Sequence, residues 1–342
     1  ILMGGSSNNF SFVLARFDRD GTIDTSFGAG GVTQISSFGG ADLDLMPDGR
    51  IVAVGTNSSQ GNFDFEVVRF NADGSLDSTF GNQGRAITDL SSGMPDNARA
   101  VAVQPNGKIV AAGFASGPRG TVPFQLDFAL VRYNLDGTLD QGFGDGGKVI
   151  TDFSGFSDDI FDLAIQSDGK YVAAGQTETF ARVIEDPECG CQVTLLRIDL
   201  AIAGYDVDGN LDSGFGDGGK VALQVTDPAT DRPSTALAVA IQPNGKIVAA
   251  GRADGFGVVR LNKDGSLDSS FGDGGKVNTA FTIGPGEWAN AVMVAPAGKI
   301  IVAGRVQSGA DTDFGIARYE RDGTLDSSFG VGGKVMTDIG NS

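Results

Sequence analysis

Carboxylates recur in this chain at a spacing that suits calcium binding. They occupy the first, third and seventh positions of two seven-residue segments, DVDGNLD and DRDGTID. Oxygen-bearing side chains at such positions are typical of a calcium loop. The candidate calcium ligands are Asp206, Asp208 and Asp212 in the first segment, and Asp18, Asp20 and Asp24 in the second.

The same pattern has a second interpretation, a tight turn. A calcium loop of the familiar kind also needs a ligand at its fifth position and a late bidentate Glu, and neither recurs in the related segments. Aspartate side chains in turns accept hydrogen bonds from nearby backbone N–H groups. The sequence therefore favours turns and leaves calcium as the one candidate cofactor.

The composition excludes several other classes of chemistry and partner. The 342 residues include no histidine, which removes Ser-His-Asp triads and most transition-metal sites. The formal net charge of −18 disfavours nucleic acid and anionic lipid as partners. No apolar run approaches the length of about 18 residues that a membrane span needs, so membrane insertion is not expected.

The aspartate segments open a sixteen-residue motif that occurs six times. NKDGSLDSSFGDGGKV, at 262–277, is one copy. The copies are 53 to 72 residues apart, measured between the phenylalanines of their FG steps, Phe27, Phe80, Phe143, Phe215, Phe271 and Phe329. Regular repetition over the whole chain predicts a single repeat domain, 1–342.

Four strands, named a, b, c and d in chain order, are predicted in each repeat. The third repeat serves as the example: its strand a lies within 146–153 and its strand b within 161–166. Strand d has the pattern seen at 127–134, just before the motif. Turns such as PNGK separate b from c and predict type I′ hairpins, and c is a continuous apolar run such as IVAAG. The motif follows d. The spacing inside the motif is the same in every copy, which predicts a structural joint between neighbouring four-stranded units. We expect the Phe of the motif to fill the gap between the units. We also expect the Arg of strand d to pair with the Asp of the LD step.

These residues resemble a known family. The combination FALVRxNxDGSLDxxFGxGGKV with AVAVQPDGKIVAAG is similar to the delta-60 repeats of bacterial, mostly exported proteins, and the resemblance covers nearly the whole chain. It implies a β-propeller. The family is largely uncharacterised functionally, so the resemblance implies no catalytic residues.

The expected fold is an all-β propeller of six four-stranded blades. The N-terminal ILMGG matches strand c and the C-terminal GGKVMTDIGNS matches strand a, so we expect the ring to close by mixing N- and C-terminal strands in one blade. This predicts a segment ending in DGK before Ile1. Seven blades with further chain is the alternative, and a β-solenoid is disfavoured because its rungs are shorter.

Departures from the repeat are the candidate interaction sites, because insertions on a repeat scaffold often carry function. Two c–d connections are long, 114–127 and 176–199, and the a–b connections 225–235 and 281–290 also vary. We expect all four to lie on one face. The candidate interaction residues are Arg119, Phe124, Phe180, Arg182, Glu185, Arg232 and Trp288. Neutral drift in tolerant loops is the alternative.

The two cysteines, Cys189 and Cys191, lie at the tip of the longest insertion. A strained Cys-Gly-Cys disulfide, free or intermolecular thiols, and a metal site are the three interpretations.

The predicted function is a non-enzymatic interaction or structural scaffold, secreted or on the bacterial cell surface. It would present the variable loops to a protein or glycan, alone or within a larger assembly. The alternatives are a glycan-binding lectin and a carboxylate- or calcium-dependent enzyme acting on a sugar or lactone.

Overall fold

The computed structural model describes residues 1–7, 11–58, 63–119, 122–153, 155–185, 191–226, 232–282, 286–308 and 311–338. They group into two compact units, residues 1–152 with 207–210 and residues 153–206 with 211–342. Both units are built from antiparallel strands, as predicted. A 3-10 turn at Pro296–Gly298 is the only helical element among the described residues, and none of them forms a helix able to span a membrane.

The first unit contains three sheets. The first sheet has three strands, β1 (Leu2–Ser7), β2 (Ser11–Arg16) and β3 (Val32–Ser36). The second has β4 (Phe38–Leu45), β5 (Ile51–Asn57), β6 (Asp64–Phe70) and β7 (Arg85–Thr88), and the third has β8 (Asp96–Val103), β9 (Ile109–Arg119), β10 (Val122–Tyr133) and β11 (Lys148–Thr151).

The second unit contains a four-stranded and an eight-stranded sheet. The former comprises β12 (Asp158–Ile165), β13 (Tyr171–Glu185), β14 (Gln192–Tyr205) and β15 (Lys220–Leu223). The latter is two four-stranded groups, β16 (Thr235–Ile241), β17 (Ile247–Arg252), β18 (Phe256–Leu261) and β19 (Lys276–Thr279), then β20 (Trp288–Val294), β21 (Ile300–Ser308), β22 (Asp311–Tyr319) and β23 (Lys334–Thr337). A backbone pair, Arg252 with Trp288, joins the two groups.

Each four-stranded group has the order b-c-d-a, which corrects the predicted grouping. The strand after the motif pairs with strand d before it: β11 pairs with β10, from Phe128 opposite Thr151 to Val131 opposite Lys148. The motif therefore connects two strands of one sheet and does not carry the chain to the next sheet. The pattern could not show this, because a four-residue strand such as KVIT is compatible with either neighbour.

The predicted mixing of terminal strands is wrong for the same reason. β23, the C-terminal strand a, completes the group of β20, β21 and β22 by pairing with β22. The N-terminal segments form their own three-stranded sheet, in which β2 pairs with both β1 and β3.

The b–c turns also differ from the predicted type I′. The Gly49 N–H donates to Met46 O and the Met46 N–H to Arg50 O, and Gly49 alone in the turn has a positive φ, +87°. This is a type I turn closed by a glycine bulge. The side chain before the glycine favours this turn, because Asp48 Oδ1 accepts the Arg50 N–H and Asp168 Oδ1 likewise accepts the Lys170 N–H.

Strand c forms the centre of each group, as its apolar sequence predicts. All seven residues of β5 are buried, and so are the first five of β17. Strand c pairs on both edges, with b and with d, which satisfies its backbone inside the core. The c–d connection and the end of strand a lie at the same end of each sheet, which we call the hairpin end.

Candidate functional site

Five of the six motifs hold an arginine–aspartate ion pair beneath their phenylalanine. Asp77 Oδ2 accepts hydrogen bonds from Arg69 Nε and Arg50 Nη1, both at 2.8 Å. The Arg69 guanidinium lies 4.5 Å from the centre of the Phe80 ring, and Arg69 is only 1% exposed. The predicted pairing of the strand-d Arg with the Asp of the LD step is confirmed.

The arrangement recurs in four of the other five copies. The Arg–Asp pairs are Arg16–Asp24, Arg132–Asp140, Arg260–Asp268 and Arg318–Asp326, at 2.6 to 2.7 Å. The last residue of the b–c turn adds a second cation: Lys108, Lys246 and Lys299 donate to Asp140, Asp268 and Asp326 at 2.6 to 2.7 Å. Sequence reasoning missed this cation, although the invariant basic residue that ends PDGR and PNGK was its signal.

Successive motifs contact one another directly. The Gly81 N–H donates to Asp136 O at 2.8 Å, and the Phe80 ring lies against Gly137. Arg69 Nη1 donates to Leu135 O. The motif is thus a joint between groups, as expected, but it acts through these contacts rather than through the path of the chain.

The predicted calcium ligands make turn hydrogen bonds. Asp20 Oδ1 accepts the N–H and the hydroxyl of Thr22, at 3.0 and 2.7 Å. Asp24 accepts Arg16 and Ser26, and Asp212 accepts Lys170 at 2.6 Å and the Gly214 N–H at 3.1 Å. For Asp208, the backbone carbonyl accepts the Gly144 N–H. Asp18 and Asp206 flank these turns, and calcium binding at the six residues remains a prediction.

Three other carboxylates of the first unit do converge. Asp64, Asp89 and Asp96 each place an oxygen within 4.8 Å of the other two. Asp96 is fully buried and accepts the N–H groups of Leu90 and Ser116. Burial and the charge of Asp89 raise the pKa values of Asp64 and Asp96. Sequence reasoning missed this cluster because its members are 25 and 7 residues apart, on β6, just after β7 and on β8.

The longest insertion is a strand extension rather than a loop. β13 and β14 pair from Tyr171 opposite Tyr205 out to Glu185 opposite Gln192, whereas β12 and β15 stop pairing at Thr177 and Leu200. Residues 179–185 and 192–197 therefore form a two-stranded projection at the hairpin end, which we call the ribbon. The insertion at 114–127 likewise extends β9 and β10.

One face of the ribbon is apolar and exposed. Phe180 lies opposite Leu196, and a bulge after Phe180 places Val183 on the same face. Phe180, Val183 and Leu196 are 56%, 47% and 41% exposed. Arg182 and Glu185 are exposed as well. The structure thus brings three predicted interaction residues onto this projection.

The remaining predicted interaction residues lie apart. Arg119 ends β9 and Phe124 lies within β10, and their side chains are outside the described residues. Arg232 is exposed and pairs with Asp254 at 2.7 Å. Cys191 is disulfide-bonded. The predicted pairing with Cys189 remains a prediction, because Cys189 lies outside the described residues.

Trp288 lies between two arginines that sequence reasoning missed. The guanidinium carbons of Arg305 and Arg252 are 4.7 and 5.6 Å from its ring centre. Both arginines directly follow the AG glycine of strand c, where other copies have Thr56, Phe114 and Gln176. Arginines at a position that is uncharged in these other copies were the sequence signal for this group of side chains.

The model of one protein family, described as a domain of unknown function (DUF5122) beta-propeller, matches residues 1–27, 47–80, 104–143, 242–271 and 296–329. The matches together cover just under half of the chain and fall in five of its six repeats. Each of the last four matches begins at or near a b–c turn and ends at a motif phenylalanine, so it covers strands c and d and the first part of the motif. The unmatched copy ends at Phe215 and carries the ribbon, together with Gly204 where the others have Arg. The match confirms the β-propeller expected from the delta-60 resemblance.

Solved structures with similar folds include three of interest. A protein of unknown function from Bacteroides caccae is 12% identical, with 98% of this chain and 97% of that chain covered and a TM-score of 0.50. A glucose dehydrogenase is 13% identical (90% and 92% covered, TM-score 0.43), and a putative gluconolactonase is 12% identical (88% and 85% covered, TM-score 0.37). At these identities the likeness concerns the fold alone. No curated protein matches the chain.

Proposed function

We propose that this protein is a non-enzymatic scaffold at the exterior of a bacterial cell that presents its hairpin end to a protein or glycan partner. The carboxylates of the joints support a structural role, since Asp77, Asp140, Asp268 and Asp326 each bind two cations. A carboxylate so neutralised is a poor general base. The disulfide at Cys191 supports export, because disulfides persist in oxidising compartments.

The finer architecture belongs to the same proposal. Five four-stranded groups and one three-stranded sheet contain one motif each, and we assign them as six blades of one propeller domain. The contacts between successive motifs support the assignment, because they repeat the same hydrogen bond from an FG glycine to the Asp of the next DG step.

The exposed apolar face of the ribbon carries the proposal. A two-stranded ribbon is marginally stable in water unless another surface covers it. Phe180, Val183 and Leu196 stand on its outer part with about half of their surface open to solvent. Clustered apolar side chains on a projection mark interaction surfaces more often than isolated ones do.

Site-specific photo-crosslinking tests the proposal. A benzoyl-phenylalanine placed at position 180 in the protein expressed in its native host should give a discrete crosslinked species. The same group at position 45, where Leu45 is 54% exposed on β4, is the matched control. We expect Leu196→Asp to abolish the crosslink at position 180. If both positions gave the same species, or neither gave any, the ribbon would not be the interaction surface.

A further inference from the structure

A row of cationic and aromatic side chains crosses one face of the eight-stranded sheet. Arg252 on β17 lies opposite Trp288 on β20, and Trp288 lies opposite Arg305 on β21. Arg305 in turn lies opposite Phe314 on β22. Directly opposed residues of antiparallel strands project from the same face with Cβ atoms about 5 Å apart. The four side chains therefore form one continuous surface at the hairpin end.

The two arginines of this row have no carboxylate partner among the described residues. Arg305 Nε is buried and has no hydrogen-bond acceptor there. Every strand-d arginine of the joints, by contrast, binds an Asp. The chain contains 43 acidic and 25 basic residues, so acidic partners are plentiful. A buried donor without an acceptor costs free energy, which an anionic ligand would recover.

The aromatic residues restrict the kind of anion. Trp288 is half-buried between the arginines, and Phe314 is 56% exposed beside Arg305. Aromatic rings in binding sites contact the apolar faces of ligands, while a guanidinium binds a carboxylate through two parallel N–H groups. The net charge of −18 repels polyanions, which favours a ligand with a single negative charge.

We propose that Arg252, Trp288, Arg305 and Phe314 form a binding site for a sugar acid. The arginines would bind its carboxylate, and Trp288 and Phe314 would contact the C–H face of its ring. The site does not involve the ribbon, so it stands or falls independently of the scaffold proposal.

Tryptophan fluorescence tests the site directly, because Trp288 is the only tryptophan of the chain. Glucuronate should produce a saturable change in emission that glucose does not. Raising the salt concentration from 20 to 200 mM should weaken the binding, since the contact is ionic. Saturation-transfer NMR of glucuronate is the second measurement, which does not rely on the tryptophan signal.

Variants separate the site from general electrostatics. Arg305→Gln and Arg252→Gln should each weaken glucuronate binding at least tenfold, whereas Arg19→Gln, an exposed charge loss in the first unit, should leave it unchanged. Phe180→Ser with Leu196→Ser should also leave it unchanged. If Arg252→Gln and Arg305→Gln bound glucuronate as the parent does, or if no binding appeared by either method, the proposal would be overturned. Acetate binding as tight as glucuronate would overturn its sugar part.

Discussion

Asp268 shows how one buried side chain organises a joint. Its Oδ2 accepts Lys246 and Arg260, both at 2.6 Å, and its Oδ1 accepts the Ser270 N–H and hydroxyl. Lys246 comes from the b–c turn and Arg260 from strand d. The carboxylate therefore holds three segments of the chain together, and its charge is matched only while all of them are in place.

Replacing Asp268 with Asn tests this role. The amide keeps the size of the side chain but leaves the buried Arg260 without its counter-charge, and breaking a buried pair in this way costs about 3 to 5 kcal/mol. We expect a loss of about 3 kcal/mol in the free energy of unfolding, measured by urea denaturation.

The matched control is Asp24→Asn in the N-terminal copy. The side chains of Arg16 and Asp24 are 28% and 21% exposed, against 6% and 7% for Arg260 and Asp268. Solvent screening should make the loss there much smaller than in Asp268→Asn. Equal losses in the two variants would contradict the importance of burial.

The stability of the protein should depend on pH through the same aspartates. Burial raises the pKa of Asp268, but hydrogen bonds from Lys246, Ser270 and Arg260 outweigh it and leave that pKa well below its usual range. A group whose pKa is lower in the folded state stabilises the fold above its unfolded pKa, near 4, and loses that contribution as the pH falls further.

We therefore expect the free energy of unfolding to fall steeply below about pH 4. The fall should be shallower in Asp268→Asn, since one of the responsible groups is removed. Denaturation curves collected from pH 7 to pH 2 would show both effects, and parallel pH profiles for the two proteins would contradict the assignment.

At the scale of elements, local patterns predicted the strands well and their partners less well. The alternating runs at 161–166 and 127–134 identify β12 and the second half of β10 to within a few residues. The pairing of the short strand after each motif was not predictable, because it depends on non-local hydrogen bonds rather than on periodicity. The insertion at 176–199 forms paired strands where a loop is expected, in keeping with its Thr-, Val- and Leu-rich sequence.

Gly204 marks the one joint with a different construction. It replaces the strand-d Arg, and the Phe215 ring lies directly against it, so a Cβ atom there would meet three ring and Cβ atoms of Phe215 at 2.6 to 3.0 Å. Overpacking of this kind typically costs about 1 to 3 kcal/mol. We expect Gly204→Ala to lower the unfolding free energy by about 2 kcal/mol, measured by thermal denaturation.

Gly214→Ala in the same repeat is the control for this substitution. Its Cβ would meet nothing closer than Asp212 Oδ1 at 3.4 Å, and Gly214 does not need a positive φ. It should be neutral or slightly stabilising, because Ala reduces the entropy of the unfolded chain. If Gly204→Ala were equally neutral, Phe215 would have room to move and the joint would be looser than its contacts indicate.

The contact between successive motifs can be tested with two glycines that both have a positive φ but differ in their neighbours. Gly137 has a φ of +85°, and its Cβ would meet Gly81 N at 2.6 Å and the Phe80 ring at 3.2 Å. Gly146 has a φ of +60°, with its nearest neighbour, Gln141 Oε1, at 3.6 Å. Gly146→Ala should cost about 1 kcal/mol for the left-handed backbone alone.

Gly137→Ala should cost at least about 2 kcal/mol, since backbone of the neighbouring motif cannot move aside as a flexible side chain can. Chemical denaturation of both variants gives the difference. Similar losses would mean that the motifs are not in tight contact.

At the scale of the whole molecule, repetition predicted the architecture while departures from repetition pointed toward sites. Six copies of one motif predicted a propeller, because each copy repeats the same order of strands and turns. Trp288 and Phe180 were singled out because they break the pattern. Arg252 and Arg305 break it too, but their relation to Trp288 depends on the pairing of β17 with β20, which no local pattern contains.

The net charge of −18 makes a final prediction for the whole chain. Exposed carboxylates repel one another in the folded state, and salt screens that repulsion over about 10 Å at 0.1 M. Salt also weakens exposed ion pairs, but most joint pairs are buried or half-buried and are screened less.

We therefore expect repulsion to dominate, so that raising NaCl from 10 to 200 mM increases the melting temperature by a few degrees. Differential scanning calorimetry measures this, and the rise should be about the same in Asp268→Asn, which loses a buried pair that salt screens little but keeps the acidic surface. A lower melting temperature in salt would mean that the exposed pairs, and not the surface repulsion, control stability.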